Sequence, residues 1–273
     1  MAENCSHNCG SCSQNCGDRI IEKKKPLPST HINKIIGVLS GKGGVGKSMV
    51  SSLLAVELAK KGYKVGIMDA DITGPSIPKM FRVDSEIMGD NQGIYPNLSN
   101  EYCIKIVSVN MMLETEDTPV LWRGPVISSM VDQFYTDVYW GDLDYLVIDM
   151  PPGTSDVALS VLQDIPVDGL VMVTSASKLI SMVVSKAIVM AEKTNSKIIG
   201  LVENMSYIKC PNCDEVIRIY DESLTKETAE KYHLDVLGSI PLDTKLSNMA
   251  DNGLIENYDE HYIDELVLKV ESI

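Results

Sequence analysis

Residues 35–48 read Ile35-Ile36-Gly37-Val38-Leu39-Ser40-Gly41-Lys42-Gly43-Gly44-Val45-Gly46-Lys47-Ser48. The opening run is apolar and rich in β-branched residues, as a strand buried on both faces should be, and a glycine-rich turn closing on Lys-Ser follows it. Gly41 to Ser48 fits G-x-x-x-x-G-K-[ST], and Lys47–Lys61 continues as a helical stretch. The loop therefore stands between a strand and a helix, which is where a phosphate-binding loop has to be. Its glycines let successive backbone N–H groups curve around phosphate, and the helix N-terminus adds positive potential. Lys47 is expected to reach the β and γ phosphates and Ser48 to offer its hydroxyl to Mg²⁺; Met49 falls with them in the binding turn. ATP with Mg²⁺ is the predicted ligand.

Working outward, short β-branched runs recur at Ile35–Leu39, Val65–Met68, Ile104–Val109, Tyr145–Ile148, Gly169–Val173, Ile198–Val202 and Val236–Ile240. Helical stretches lie between them, notably Lys47–Lys61, Gly124–Asp137 and Lys178–Lys193. This alternation predicts an α/β fold with a mainly parallel central sheet and helices on both faces, and together with the loop a P-loop NTPase. In the last helix Ile180, Val183, Val184, Ala187, Ile188 and Ala191 share one stripe, expected in the core. Residues 34–273 read as one ATPase domain, with a hairpin inserted near 207–220. Residues 1–33, rich in Ser, Asn, Gly and Cys before Lys23-Lys24-Lys25-Pro26-Leu27-Pro28, read as a flexible Cys-rich arm and linker.

Charge narrows the partners. Against 38 Asp and Glu the chain carries 24 Lys and Arg, and its net charge of −14 repels a phosphate backbone, so nucleic acid is not expected to bind. No run approaches the ~18 apolar residues of a membrane span, and no charged-then-apolar leader opens the sequence. A cytoplasmic protein without a membrane partner is expected.

Two further carboxylate elements follow strands. Val65–Met68 runs into Asp69-Ala70-Asp71, and Tyr145–Ile148 runs into Asp149-Met150-Pro151-Pro152-Gly153-Thr154. Carboxylates at the C-terminal ends of parallel strands project into the crevice where α/β sheets bind ligands. Phosphoryl transfer needs an acid for the Mg²⁺ shell and a polar group to place the attacking water. Asp149 is assigned to the metal shell with Asp69 in support, Asp71 to the water, and Gly153 to the nucleotide's surroundings. Capping of a helix or turn is the alternative for each Asp. Lys42 springs from the loop tip, so it is placed to extend away from its own chain's nucleotide toward a partner's phosphates, or else is a solvated surface lysine.

Seven cysteines in this setting favour metal or redox chemistry over a disulfide framework. Cys210 and Cys213 form Cys-Pro-Asn-Cys, only two thiolates where a cubane cluster or tetrahedral zinc usually needs four protein ligands. Sharing between two subunits, a zinc knuckle and an unmetallated pair all remain open. Cys5, Cys9, Cys12 and Cys16, spaced C-x₃-C-x₂-C-x₃-C, could hold a second Fe–S site, bind zinc, or form a redox-sensitive tail. Cys103, in an apolar stretch, is expected as a buried core thiol.

The GKGGxGK[ST] loop with Lys42 resembles the MinD/ParA/nitrogenase-iron-protein class of deviant-Walker ATPases. Asp69–Pro78, Trp122-Arg123-Gly124-Pro125, Asp149–Asp156, Asn204 in Val202–Ser206, and Cys210–Cys213 resemble its Mrp/ApbC branch, the iron–sulfur carrier ATPases, over about residues 34–273. The resemblance implies a homodimer in which Lys42 crosses to the partner's ATP, with Lys42, Lys47 and Asp71 serving hydrolysis. It implies that Asn204 reads the adenine edge and that Pro241 and Asp243 border the base. It also implies a [4Fe–4S] cluster shared between the two Cys210/Cys213 pairs, taken from a cluster-assembly scaffold and handed to apo iron–sulfur proteins. Nucleotide would switch the dimer through Asp71–Pro78 and Asp149–Asp156. A ParA- or MinD-like spatial organiser is the rival; its basic patch or basic amphipathic tail is missing from the acidic stretch Asp259–Glu271, which is expected to pack on the domain.

Overall fold

The strand that opens the phosphate loop, β1 (His31–Ser40), lies at the centre of an eight-stranded sheet. A computed structural model describes residues 22–72, 76–83, 86–112, 124–175, 180–210, 212–213, 215–218 and 223–273. Along the chain come α1 (Lys47–Lys60), β2 (Val65–Asp69), α2 (Ser76–Phe81), β3 (Met88–Gly89), β4 (Ile94–Tyr95), β5 (Asn97–Leu98) and β6 (Lys105–Ser108). Then follow α3 (Gly124–Thr136), β7 (Asp142–Asp149), α4 (Asp156–Asp164), β8 (Gly169–Ser175), α5 (Ile180–Lys193) and β9 (Ile198–Asn204). The chain ends with β10 (Ile208–Lys209), β11 (Val216–Ile217), α6 (Ser223–Lys231), β12 (Val236–Ser239), α7 (Thr244–Asp251) and α8 (Asp264–Glu271).

The sheet order is β12-β9-β8-β1-β7-β2-β6-β5, parallel at every pairing except the β5–β6 edge. Side chains alternate across it. From β1, Ile36 and Val38 join one core with α1, α2, α7 and α8, whereas Ile35 and Leu39 join another with α3, α4, α5 and α6. Because both faces are covered, the inner strands are apolar at almost every position, and that is why they stood out in the sequence. The expected α/β architecture is thus the observed one. On α5, Val184, Ala187 and Ala191 of the anticipated stripe are buried; the side chains of Ile180 and Val183 lie outside the described residues. α8 packs Leu266, Val267 and Val270 inward, and Glu271 accepts hydrogen bonds from Lys61 Nζ (2.7 Å) and Tyr63 Oη (3.1 Å).

Two details differ from the expectations. β1 starts at His31, and Lys23 and Lys24, within the stretch read as linker, are tied to the foot of α4. Lys23 Nζ donates to the carbonyls of Leu162 (2.6 Å) and Ile165 (3.2 Å), Lys24 N–H donates to Asp164 O (2.8 Å), and Lys24 Nζ pairs with Asp132 and Asp164. The last carbonyls of a helix lack intrahelical partners, which is what draws a lysine there. Second, Cys103 is exposed, not buried: it stands at φ 54 in the turn between β5 and β6, and the buried run begins only at Ile104. Cys5, Cys9, Cys12, Cys16, Trp122 and Arg123 lie outside the described residues. No described helix is long and apolar enough to cross a membrane.

Candidate functional site

The phosphate loop leaves β1 at Ser40 and enters α1 at Lys47. Gly44 and Gly46 hold φ 77 and 79, values that L side chains rarely adopt, so the turn requires glycine there. Ser40 Oγ donates to Lys42 O (3.0 Å), and Gly153, itself at φ 76, donates its N–H to Ser40 O (2.7 Å), so the β7–α4 connection is fastened to the loop. Gly41 and Gly46 are half-buried, Gly43 and Gly44 are exposed, and Val45 is buried and anchors the loop in the core. The Lys42 side chain is exposed and has no partner among the described residues.

Register, not proximity in sequence, assembles the acids. Asp69 and Asp149 are directly paired Cα partners at the ends of β2 and β7. Asp149 is fully buried; it accepts Ser48 Oγ on Oδ2 and Ser51 Oγ on Oδ1, both at 2.6 Å. Lys47, only 5% exposed, brings Nζ to 2.8 Å from Asp149 Oδ2 and 3.1 Å from Asp71 Oδ2. Those separations make an ion pair. The contact is carried chiefly by charge, and the buried ammonium is left short of well-formed hydrogen bonds. Burial alone would lower the Lys47 pKa, but the Asp149 and Asp71 charges outweigh it and hold the pKa above its ordinary value. Asp69 accepts Ser108 Oγ (2.7 Å) and Asp71 N–H (3.0 Å); burial, with the Asp149 charge beside it, pushes its carboxyl up to about 8. Asn110 Nδ2 donates to Asp71 O (3.1 Å) and fixes the turn after β2.

This donor set suits a phosphate chain and a hard cation. A buried ammonium with unengaged donors fits a phosphate oxygen, while Ser48 and Asp149 present only oxygen ligands, the preference of Mg²⁺. Ser51, Ser108 and Asn110 were not anticipated. Ser51 had a faint signal, since it lies one helical turn beyond Lys47 on the same face; the other two carry no motif.

At the opposite corner, Asn204 ends β9 and is 4% exposed. Its Nδ2 donates to Val45 O (3.0 Å) and its Oδ1 accepts Met205 N–H (3.0 Å), so the carboxamide braces the phosphate loop. Each of its polar atoms retains a second hydrogen-bonding position. Pro241 is buried alongside, where Leu242 N–H donates to Tyr207 O (2.8 Å). Asp243 caps α7: Oδ1 accepts Lys245 N–H (2.7 Å) and Oδ2 accepts Tyr258 Oη (2.6 Å). Met49 packs half-buried against the α1 core. Beyond β9, β10 and β11 pair antiparallel, Ile208 with Ile217 and Lys209 with Val216. Cys210 and Cys213 sit at the turn of that hairpin as thiols, Cys213 exposed and Cys210 half-buried.

Fold and loop together define a P-loop nucleoside-triphosphatase of MinD/ParA architecture. MinD from Aquifex aeolicus superposes with a TM-score of 0.61 over 88% of this chain and 95% of its own, at 18% identity. Residues 31–271 match the model of the ParA family described as NUBPL iron-transfer P-loop NTPases, and the chain belongs to that family. An iron–sulfur cluster carrier protein of Methanococcus maripaludis is 43% identical over 93% of this chain and 91% of its own. Another from Clostridium perfringens is 44% identical over 84% and 82%. A nucleotide-binding protein from Archaeoglobus fulgidus, solved with ADP, superposes with a TM-score of 0.76 at 42% identity, covering 85% of this chain and 90% of that one.

Proposed function

We propose that this chain is a cytoplasmic, Mg·ATP-dependent carrier that binds a [4Fe–4S] cluster as a homodimer and delivers it to apo iron–sulfur proteins, receiving it from an assembly scaffold. The observation that carries the reading is the placement of the Cys210/Cys213 pair, Cys213 exposed and Cys210 half-buried, on the hairpin continuing β9, the strand whose last residue braces the phosphate loop. Relatives named as cluster carriers support it.

In this reading the loop N–H groups from Gly41 to Ser48 cradle the phosphates, and Lys47 turns its unengaged donors to the β and γ oxygens. Ser48 and Asp149, with Asp69 behind them, hold the cation, which supplies neutralisation of charge on the transferring phosphoryl group. Asp71 positions the attacking water. Lys42, exposed at the loop tip, reaches the nucleotide of the partner subunit. Asn204 reads the adenine edge with its remaining donor and acceptor, and Pro241 and Asp243 border the base. Two thiolates per chain become four in a two-fold dimer, the number a cubane needs. Cys5, Cys9, Cys12 and Cys16 form a separate site on the arm.

The test is anaerobic reconstitution with iron, sulfide and zinc analysis per dimer, followed by transfer to apo-ferredoxin. Replacing Cys210 and Cys213 together with Ala should remove about one cluster per dimer and abolish transfer, while ATP binding persists. Deleting residues 1–17 should remove only additional iron. Transfer at the parental rate by the double variant would move the carrier site elsewhere, and zinc in place of iron and sulfide would make the hairpin a zinc knuckle.

A further inference from the structure

Asn204 touches two things at once. On one side its Nδ2 donates to Val45 O, and a Cβ added to Gly46 would lie 2.0 Å from that same nitrogen, so the peptide between Val45 and Gly46 rests directly on the carboxamide. On the other side its Oδ1 holds Met205 N–H, and Met205 stands at φ 54, the bend that takes the chain off β9 toward the cysteines. The residues after the bend are equally fastened: Ser206 N–H donates to Ile240 O (3.0 Å), and Cys210 N–H donates to Glu215 O (2.9 Å) across the hairpin.

We infer that Asn204 is a positioning residue that transmits nucleotide occupancy of the phosphate loop to the Cys210/Cys213 hairpin. Phosphate bound by the loop's N–H groups acts on the peptides from Gly43 to Ser48. A shift of the Val45–Gly46 peptide toward β9 drives it against Nδ2, and a shift away stretches the 3.0 Å bond. Both displacements pass through one planar carboxamide to the Met205 N–H, where a left-handed residue has little torsional slack. The route differs from one through Asp71–Pro78 and Asp149–Asp156, for it needs no partner subunit. Coupling of this kind is reciprocal, so metal on the thiols must also alter ATP affinity. The inference rests on the carrier reading only in taking the hairpin thiols to hold the cargo.

The experiment uses the full chain without cluster. Iodoacetamide labelling of Cys210 and Cys213, resolved by peptide mass spectrometry, is timed with and without saturating Mg·ATP. In the parental chain the nucleotide should change the labelling rate by about fivefold or more, within the usual range of couplings between sites. In Asn204→Ala at saturating ATP the change should fall below about 1.5-fold, whereas a residue that merely stabilises the fold would lower the unfolding midpoint and leave the response intact. A retained response in the variant overturns the inference, as does no response in the parental chain. Hydrogen exchange at Met205 to Cys210 in the parental chain, with and without Mg·ATP, needs no substitution, and unchanged exchange there overturns it too. A Cys210/Cys213 pair that responds to ATP but fails to assemble a cluster would defeat the carrier reading and leave this coupling standing.

Discussion

Lys47 is a buried ammonium facing three carboxylates, Asp69, Asp71 and Asp149, and its replacement by Ala has two separable effects. The phosphates lose their main positive contact, so ATP affinity measured by calorimetry should drop by about 100-fold or more. The acids also lose their cation, and an orphaned buried charge costs about 3–5 kcal/mol, so the denaturation midpoint should fall as well. Lys42→Ala should do neither, because that side chain is exposed; hydrolysis alone should decline, by about tenfold or more. Hydrolysis indifferent to Lys42 would remove it from the transition state. At this scale the sequence was most readable where a residue type is demanded by chemistry, as at Lys47, Ser48 and Asp149. It was silent at Ser108 and Asn110, since a serine or asparagine becomes a second support for an acid only when a neighbouring strand brings it there.

Among the elements, α4 links the phosphate loop to the foot of the sheet. Ser155 caps it, Oγ accepting Ala158 N–H at 3.2 Å, and Asp156 adds charge in its first turn. Ser155→Ala should cost about 1 kcal/mol, read as a lower urea midpoint with an unchanged slope; no shift would mean the helix is held by packing alone. α4 was not delineated from the sequence, and the reason is general to the short elements here. Long buried strands and helices such as β7, α1 and α5 carry enough repeats for the period to show. β5, α2 and α6 are brief, and their apolar residues are too few to define one. Cys103 shows the complementary error: apolar neighbours in sequence, Tyr102 and Ile104, surround a turn as readily as a strand.

Across the whole molecule, the C-terminal helix closes back on α1 through Glu271, whose carboxyl the Lys61 hydrogen bond holds below its usual range, with partial burial opposing and Tyr63 assisting. The folded form therefore binds a proton less readily than the unfolded chain. The stabilisation is fully present above the ordinary carboxyl value of about 4.3 and disappears as pH falls through the folded value. Glu271→Gln should lower stability slightly at pH 7, and the difference should shrink as pH is taken down into the acid range, as chemical denaturation across that range would show; a difference that does not shrink would exclude the ion pair as its source. The sheet order has a consequence of a different kind. Asn204 ends β9, Asp149 ends β7 and Asp69 ends β2, so at ~4.8 Å per strand the proposed base corner stands about 14 Å from Asp149 and about 19 Å from Asp69. The strand order is thus a length gauge, built into the sheet, that a molecule meets at both ends only if it carries a phosphate chain; displacement of bound ATP should weaken from ADP to AMP and vanish with adenosine.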